Sequence, residues 1–148
     1  MDHELEVYRQ HRTSQDKYTY FLLAAAGAAI ALALNQTQGA PLKWSQVPLA
    51  GAVLLWGFSF FCGCRQLGYI NSTLFANAEL LRVQRGIHPQ VGRHPDHVAA
   101  ASEGIKSAME TNSDRANRYA HLQLRLFFSG ALFYIAWHMY EMWLRVPA

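Results

Sequence analysis

The chain has 148 residues, the usual size of one domain. Hydrophobic residues make up 51% and charged residues 16%, below the ~25% charged typical of soluble domains, and the net charge is only +3. That balance excludes extended disorder. The two cysteines, Cys62 and Cys64, exclude a disulfide scaffold, and the long uncharged runs leave too few residues for an independent α/β enzyme domain.

Residues 1–17 are polar and carry Asp2, Glu4, Glu6 and Asp16 beside Arg9, Arg12 and Lys17. They are expected to form a helix that extends the run after them. That run, residues 18–34, is uncharged and rich in alanine. A signal peptide would need a basic leader rather than this acidic one, so a retained membrane helix is expected. Residues 35–46 read as a loop. Residues 47–64, VPLAGAVLLWGFSFFCGC, form a second uncharged run. Its 18 residues cover about 27 Å as a helix, close to the ~30 Å hydrocarbon core of a bilayer.

Residues 65–123 are expected to be a helical hairpin with its tip at 86–95, GIHPQVGRHP, where two glycines and two prolines fall together. Nothing breaks the pattern between the second run and Arg85, so one helix is predicted from Ser45 to Arg85, with Gly86 just past its end. A further helix is predicted from about Asp96, continuing without Pro or Gly from Ile105 to Ser129. The hairpin is expected to pack through Leu67, Ile70, Leu74, Ala78 and Leu81 against Val98, Ala101, Ile105, Ala108, Asn112 and Tyr119, both at three- and four-residue steps. Residues 124–144 make a third expected span and 145–148 a short tail. The fold class is thus all-α, with three transmembrane helices, the second and third extended into the hairpin.

Orientation follows from charge. Eleven of the thirteen basic residues lie in 1–17 and 65–125, against Lys43 and Arg145 elsewhere. The excess of Lys and Arg on cytoplasmic segments places the N-terminus and the hairpin in the cytoplasm and the C-terminus outside, in the inner (plasma) membrane.

Small residues four apart let membrane helices approach closely. Ala24, Gly27, Ala28 and Ala31 in the first run, with Gly51 and Gly57 in the second, are therefore candidate packing residues, either within one chain or between copies. His138 and Glu141 lie three apart near the outer end of the third span, where a polar intramembrane site or interfacial anchoring is expected. His88, His94 and His97 cluster at the tip, but their spacing fits no standard zinc pattern and no cysteine is near, so they are weak metal candidates. No cofactor is expected. Phosphate-binding, nucleophile-elbow and zincin motifs are absent from the sequence. Basic residues alternate with acids, eight against five over 65–125, which argues against a nucleic-acid partner.

Arg115 and His121, in RANRYAH, are similar in spacing to the arginine–histidine string of HEPN-class helical ribonucleases; a nuclease, this or metal-dependent, is the enzymatic alternative to a non-enzymatic reading. The layout of short membrane helices running into a cytoplasmic helical region resembles small bacterial membrane effectors of anti-phage systems, such as SLATT-type proteins. That likeness of arrangement implies a self-associating membrane protein whose hairpin receives a signal or partner and whose spans respond as a permeabilising effector or channel. The alternative is a membrane anchor that docks a soluble cytoplasmic protein and conducts nothing. The expected partners are the lipid bilayer, further copies of the chain and a cytoplasmic protein.

Overall fold

The computed structural model describes residues 2–39 and 43–145, with the backbone alone for 2–16. Loop residues 40–42, tail residues 146–148 and the side chains of the N-terminal segment lie outside the described residues. Three α-helices follow one another: α1 (Asp2–Gln36), α2 (Val47–Gln84) and α3 (Pro95–Leu144), with a short 3-10 turn at Trp44–Gln46 before α2 and no strand among the described residues. At ~1.5 Å per residue α3 alone is about 75 Å long.

Each helix end has a local cause. Alanine, the best helix former, fills α1 through Ala33. The chain then tightens: Thr37 N–H donates to Leu34 O (3.3 Å), and its hydroxyl donates to Ala33 O (3.2 Å), occupying carbonyls a helix end leaves free. α2 stops in a Schellman arrangement, in which Gly86 N–H donates to Val83 O (3.0 Å) and Ile87 N–H to Arg82 O (3.1 Å). Gly86 has φ +66, a left-handed conformation that costs other residues about 1–2 kcal/mol. α3 opens with Pro95 in its first turn, where a missing N–H is harmless, and Asp96 complements the helix dipole.

The chain divides into two compact units, Met1–Gly63 with Ala120–Ala148, and Cys64–Tyr119. In the first, the buried residues recur at steps of three and four. On α1 they are Thr19, Leu22, Ala26 and Ala33; on α2 Leu49, Ala52, Trp56, Ser59 and Cys62; on α3 Gln123 and Gly130. Ala33, Leu49, Ala52 and Trp56 form the core, with Phe127, Tyr134 and Trp137 packed against it. Trp56 fills a notch. A Cβ at Gly130 would lie 2.7 Å from the Trp56 ring and 3.2 Å from Ala52 O. Trp56 Nε1–H donates to Phe127 O (3.2 Å), and Tyr134 Oη donates to Gln36 Oε1 (2.8 Å), tying α3 to the end of α1.

Two stretches of helix are long and apolar enough to cross a membrane, Lys17–Gln36 and Trp44–Gln84. Residues 124–144, expected as a third, are not among them. Tyr134, Trp137, His138, Tyr140, Glu141 and Trp143 lower the hydropathy of that segment.

In the second unit α2 and α3 form an antiparallel hairpin. Its most buried positions on α2 are Gln66, Leu80 and Val83, with Tyr69, Ile70, Thr73 and Ala76 half-buried between them. On α3 they are Ala116, with Val98, Ala101, Ile105, Met109, Asn112 and Tyr119 half-buried.

Two substitutions test these features. Gly130→Ala should lower the melting temperature in detergent, because the clash with Trp56 and the Ala52 backbone, about 1–3 kcal/mol, exceeds the ~1 kcal/mol that alanine adds to a helix. Gly86→Ala should destabilise the fold by about 1–2 kcal/mol, read from thermal or denaturant unfolding.

Candidate functional site

The second unit holds a cluster of two arginines and two tyrosines. Tyr69 of α2 and Tyr119 of α3 stack, with ring centroids 5.7 Å apart and planes inclined by 22°. Arg65 lies one turn before Tyr69. Its guanidinium carbon is 5.2 Å from the Tyr69 ring centroid, and its Nη2 donates to Tyr69 Oη (3.0 Å). Arg115 lies one turn before Tyr119, and its guanidinium carbon is 5.8 Å from the same Tyr69 ring. One aromatic ring therefore carries two cations, each held by the negative face of its π system. The bond to the Tyr69 hydroxyl, with that of Tyr119 second, raises the Arg65 pKa above its ordinary value.

No carboxylate among the described residues pairs with the cluster. No acid occurs from Arg65 to Ala78 or from Arg115 to Tyr140. Among the described residues neither Arg65 nor Arg115 forms an ion pair, while Glu79 is taken by Arg82 (2.8 Å) and faces His88 (3.6 Å). Asp114 adjoins Arg115 in sequence, but neighbours on a helix point ~100° apart. The chemistry open to such a site is recognition of an anion: the guanidinium fork carries five donors, and the tyrosine hydroxyls take only part of them.

The residues singled out from sequence are placed as follows. Ala24, Gly27, Ala28 and Ala31 are all exposed, on a different face of α1 from buried Ala26 and Ala33. A Cβ at Gly27 or at Gly57 would meet nothing within 4 Å, whereas one at Gly51 would meet the Phe133 ring at 3.2 Å. In the hairpin Leu67, Ile70, Val98 and Ile105 are half-buried, but Leu74 and Leu81 are 43% and 45% exposed and Ala78 and Ala108 are exposed. The exposed apolar stripe of α2 also includes Phe75, at 70%. His138 is exposed and stacks on Tyr134 (6.5 Å, 11°); Glu141 is half-buried, and neither forms an ion pair among the described residues. At the tip, His88 is drawn to Glu79, while His94 and His97 lie ring to ring at 5.0 Å beside Asp96. No group of three metal-ligating side chains forms among the described residues. Arg115 and His121 sit six positions apart on one continuous helix, so their side chains diverge by ~120° rather than converging.

Sequence reasoning passed over the Arg65–Tyr69–Arg115–Tyr119 cluster and also a set of buried polar residues in the first unit: Thr19, Ser59 and Gln123. Ser59 Oγ donates to Gln123 O (2.8 Å). The Gln123 amide nitrogen is buried without a hydrogen-bond partner among the described residues and lies against Gly63, where a Cβ would come within 2.5 Å of it. The signal was a polar residue at each position that continues an apolar stripe.

No protein-family model, curated protein or solved structure matches the chain, so its reading rests on its own residues.

Ser59→Ala should cost about 1 kcal/mol of stability, through the lost bond to Gln123 O. Gln123→Leu, which removes a buried unsatisfied donor at similar volume, should leave the melting temperature unchanged or raise it.

Proposed function

We propose that the chain is a small, non-enzymatic integral membrane protein that associates with further copies of itself and receives a signal or partner on its cytoplasmic hairpin. The observation that carries the reading is how little of its apolar surface the chain covers. Only 22% of an 18-residue apolar segment in the first stretch and 33% of one in the second is buried. Phe21, Leu32, Leu34, Leu54, Phe58 and Phe61 face outward. Core helices of a water-soluble protein are covered by their neighbours; helices in lipid need no such cover.

The third span enters by association. Phe127, Gly130, Tyr134 and Trp137 of α3 pack among Ala33, Leu49, Ala52 and Trp56, so a bilayer that takes in α1 and α2 takes in this part of α3 as well. Its outward residues Phe128, Leu132, Ile135 and Met139 suit the same solvent. His138, Tyr140, Glu141 and Trp143 then fall toward the outer interface, where polar and amphipathic side chains are tolerated. The basic residues of 1–17 and 65–125 hold those segments in the cytoplasm.

Self-association is supported by a face of α1 that is exposed among the described residues. Glycine at 63 and 130 makes room for a neighbour within the chain; glycine at 27 does not. Ala24, Gly27, Ala28 and Ala31 leave a flat strip on which a second backbone can settle in lipid. The spans of several copies would then respond together, by a change of membrane permeability. A second reading, an anchor that docks a soluble protein, is favoured by Leu74, Phe75 and Leu81, which are exposed on the hairpin where lipid would not cover them.

The test is the size of the purified complex together with ion flux across vesicles. The protein should resist alkaline extraction from membranes and run as more than one copy in mild detergent. Gly27→Leu should shift it toward the single chain with little change in melting, since a side chain there meets nothing within 4 Å in the chain itself. A single-chain species at every concentration overturns self-association. A stoichiometric soluble partner with ion-tight vesicles selects the anchor.

A further inference from the structure

We propose that Arg65 and Arg115, seated on Tyr69, form a binding site for a phosphate-bearing anion midway along α2, with the hydroxyls of Tyr69 and Tyr119 completing it.

Three observations carry this. The first is charge without a counter-charge among the described residues. Exposed arginines on helices commonly pair with acids one turn away. At one turn from Arg65 stand Phe61, Cys62, Gly68 and Tyr69; at one turn from Arg115 stand Thr111, Asn112, Arg118 and Tyr119. None is acidic, and Arg118 adds a third cation on the same side of α3 as Arg115. The second is preorganisation. Arg65 is held by a hydrogen bond and a cation–π contact to the same side chain, and both guanidinium carbons lie within 6 Å of one ring centroid, at 5.2 and 5.8 Å. A planar fork already held against an aromatic face loses little freedom when it takes up an oxyanion, and its paired N–H groups match two oxygens of a phosphate. The tyrosine hydroxyls give further donors and acceptors beside it.

The third observation is height. Arg65 immediately follows Cys64, the last residue of the second apolar run, and Tyr69 lies five positions on, about 7 Å along the helix. The polar layer on each side of a bilayer is about 5–7 Å deep. In the membrane reading the cluster stands at the depth of lipid phosphates on the cytoplasmic face, where basic pockets between helices hold anionic headgroups. That placement rests on the membrane reading; the pairing of the arginines on Tyr69 does not. Phosphate in solution has the same chemistry and is the other source.

The experiment uses the full chain purified in a neutral detergent. Melting is followed while phosphatidylglycerol, phosphatidylcholine or inorganic phosphate is added, and lipid retained by the wild-type protein is read by native mass spectrometry. Phosphatidylglycerol should raise the melting temperature and stay bound, and phosphatidylcholine should do neither. Arg65→Gln with Arg115→Gln should require roughly tenfold more phosphatidylglycerol for the same effect, with Arg115→Gln alone intermediate and Arg82→Gln, a paired arginine elsewhere on the hairpin, unchanged. A response to inorganic phosphate that the same variants abolish supports the site with soluble phosphate as its source. Equal responses by the wild type and Arg115→Gln, which is exposed and needed for no buried packing, overturn the proposal, as does a wild type that responds to neither anion. Should the protein remain in solution without detergent, the membrane reading falls and the inorganic phosphate series alone decides the site.

Discussion

The register of α2 on α3 is fixed where an indole meets a glycine. Trp56 can lie flat on α3 only because Gly130 has no side chain, and its N–H is then carried to Phe127 O. One turn further along α2, Ser59 bonds Gln123 O in the same way, donor side chain to carbonyl. Two such bonds, spaced one turn apart on both helices, set translation and rotation together. Apolar packing alone is non-directional and would tolerate a slip of one turn. The position of Ala33 and Leu49 in the core, and of Tyr134 beside Gln36, follows from that register.

Three helices side by side can bury only one stripe each. The segments that bear Phe21, Leu54, Phe58, Phe128 and Leu132 are apolar on their outer faces too. The surplus is what supports the proposal of lipid as the surrounding medium and of the small-residue strip of α1 as a seam between copies. The hairpin differs. There the outer faces are mostly polar, and few large apolar residues are exposed, Leu74, Phe75 and Leu81 on α2 among them. In the second unit, the arginines on Tyr69 have no carboxylate partner among the described residues, a combination suited to anionic groups supplied from outside the chain.

The sequence made the all-helical class legible because its signals are local: alanine-rich runs, the Gly86 turn and the Pro95 start each act over a few residues. The faces of the hairpin were less legible. Counting apolar residues on α2 selects Leu67, Leu74 and Leu81, yet the buried positions are Leu80 and Val83, with Thr73 between Tyr69 and Ala76 on the same side. Two stripes one step apart both fit a helical period, and the choice between them is made by α3, where Tyr119 stacks on Tyr69 and Ala116 allows close approach. Tyr69 and Tyr119 are far apart in sequence, so no local pattern announces them. The histidines, by contrast, are close in sequence and still fail to converge, because His88 turns back to Glu79 while His94 and His97 lie on the other side of the turn that leads into α3.

The fit of Trp56 over position 130 has an evolutionary consequence. Neither residue can be exchanged freely while the other stays as it is: a larger residue at 130 needs a smaller ring at 56, and loss of the indole at 56 leaves a hollow that only a new side chain at 130 can fill. Among descendants of a common ancestor the two sites should therefore covary, drifting as a pair or standing still together.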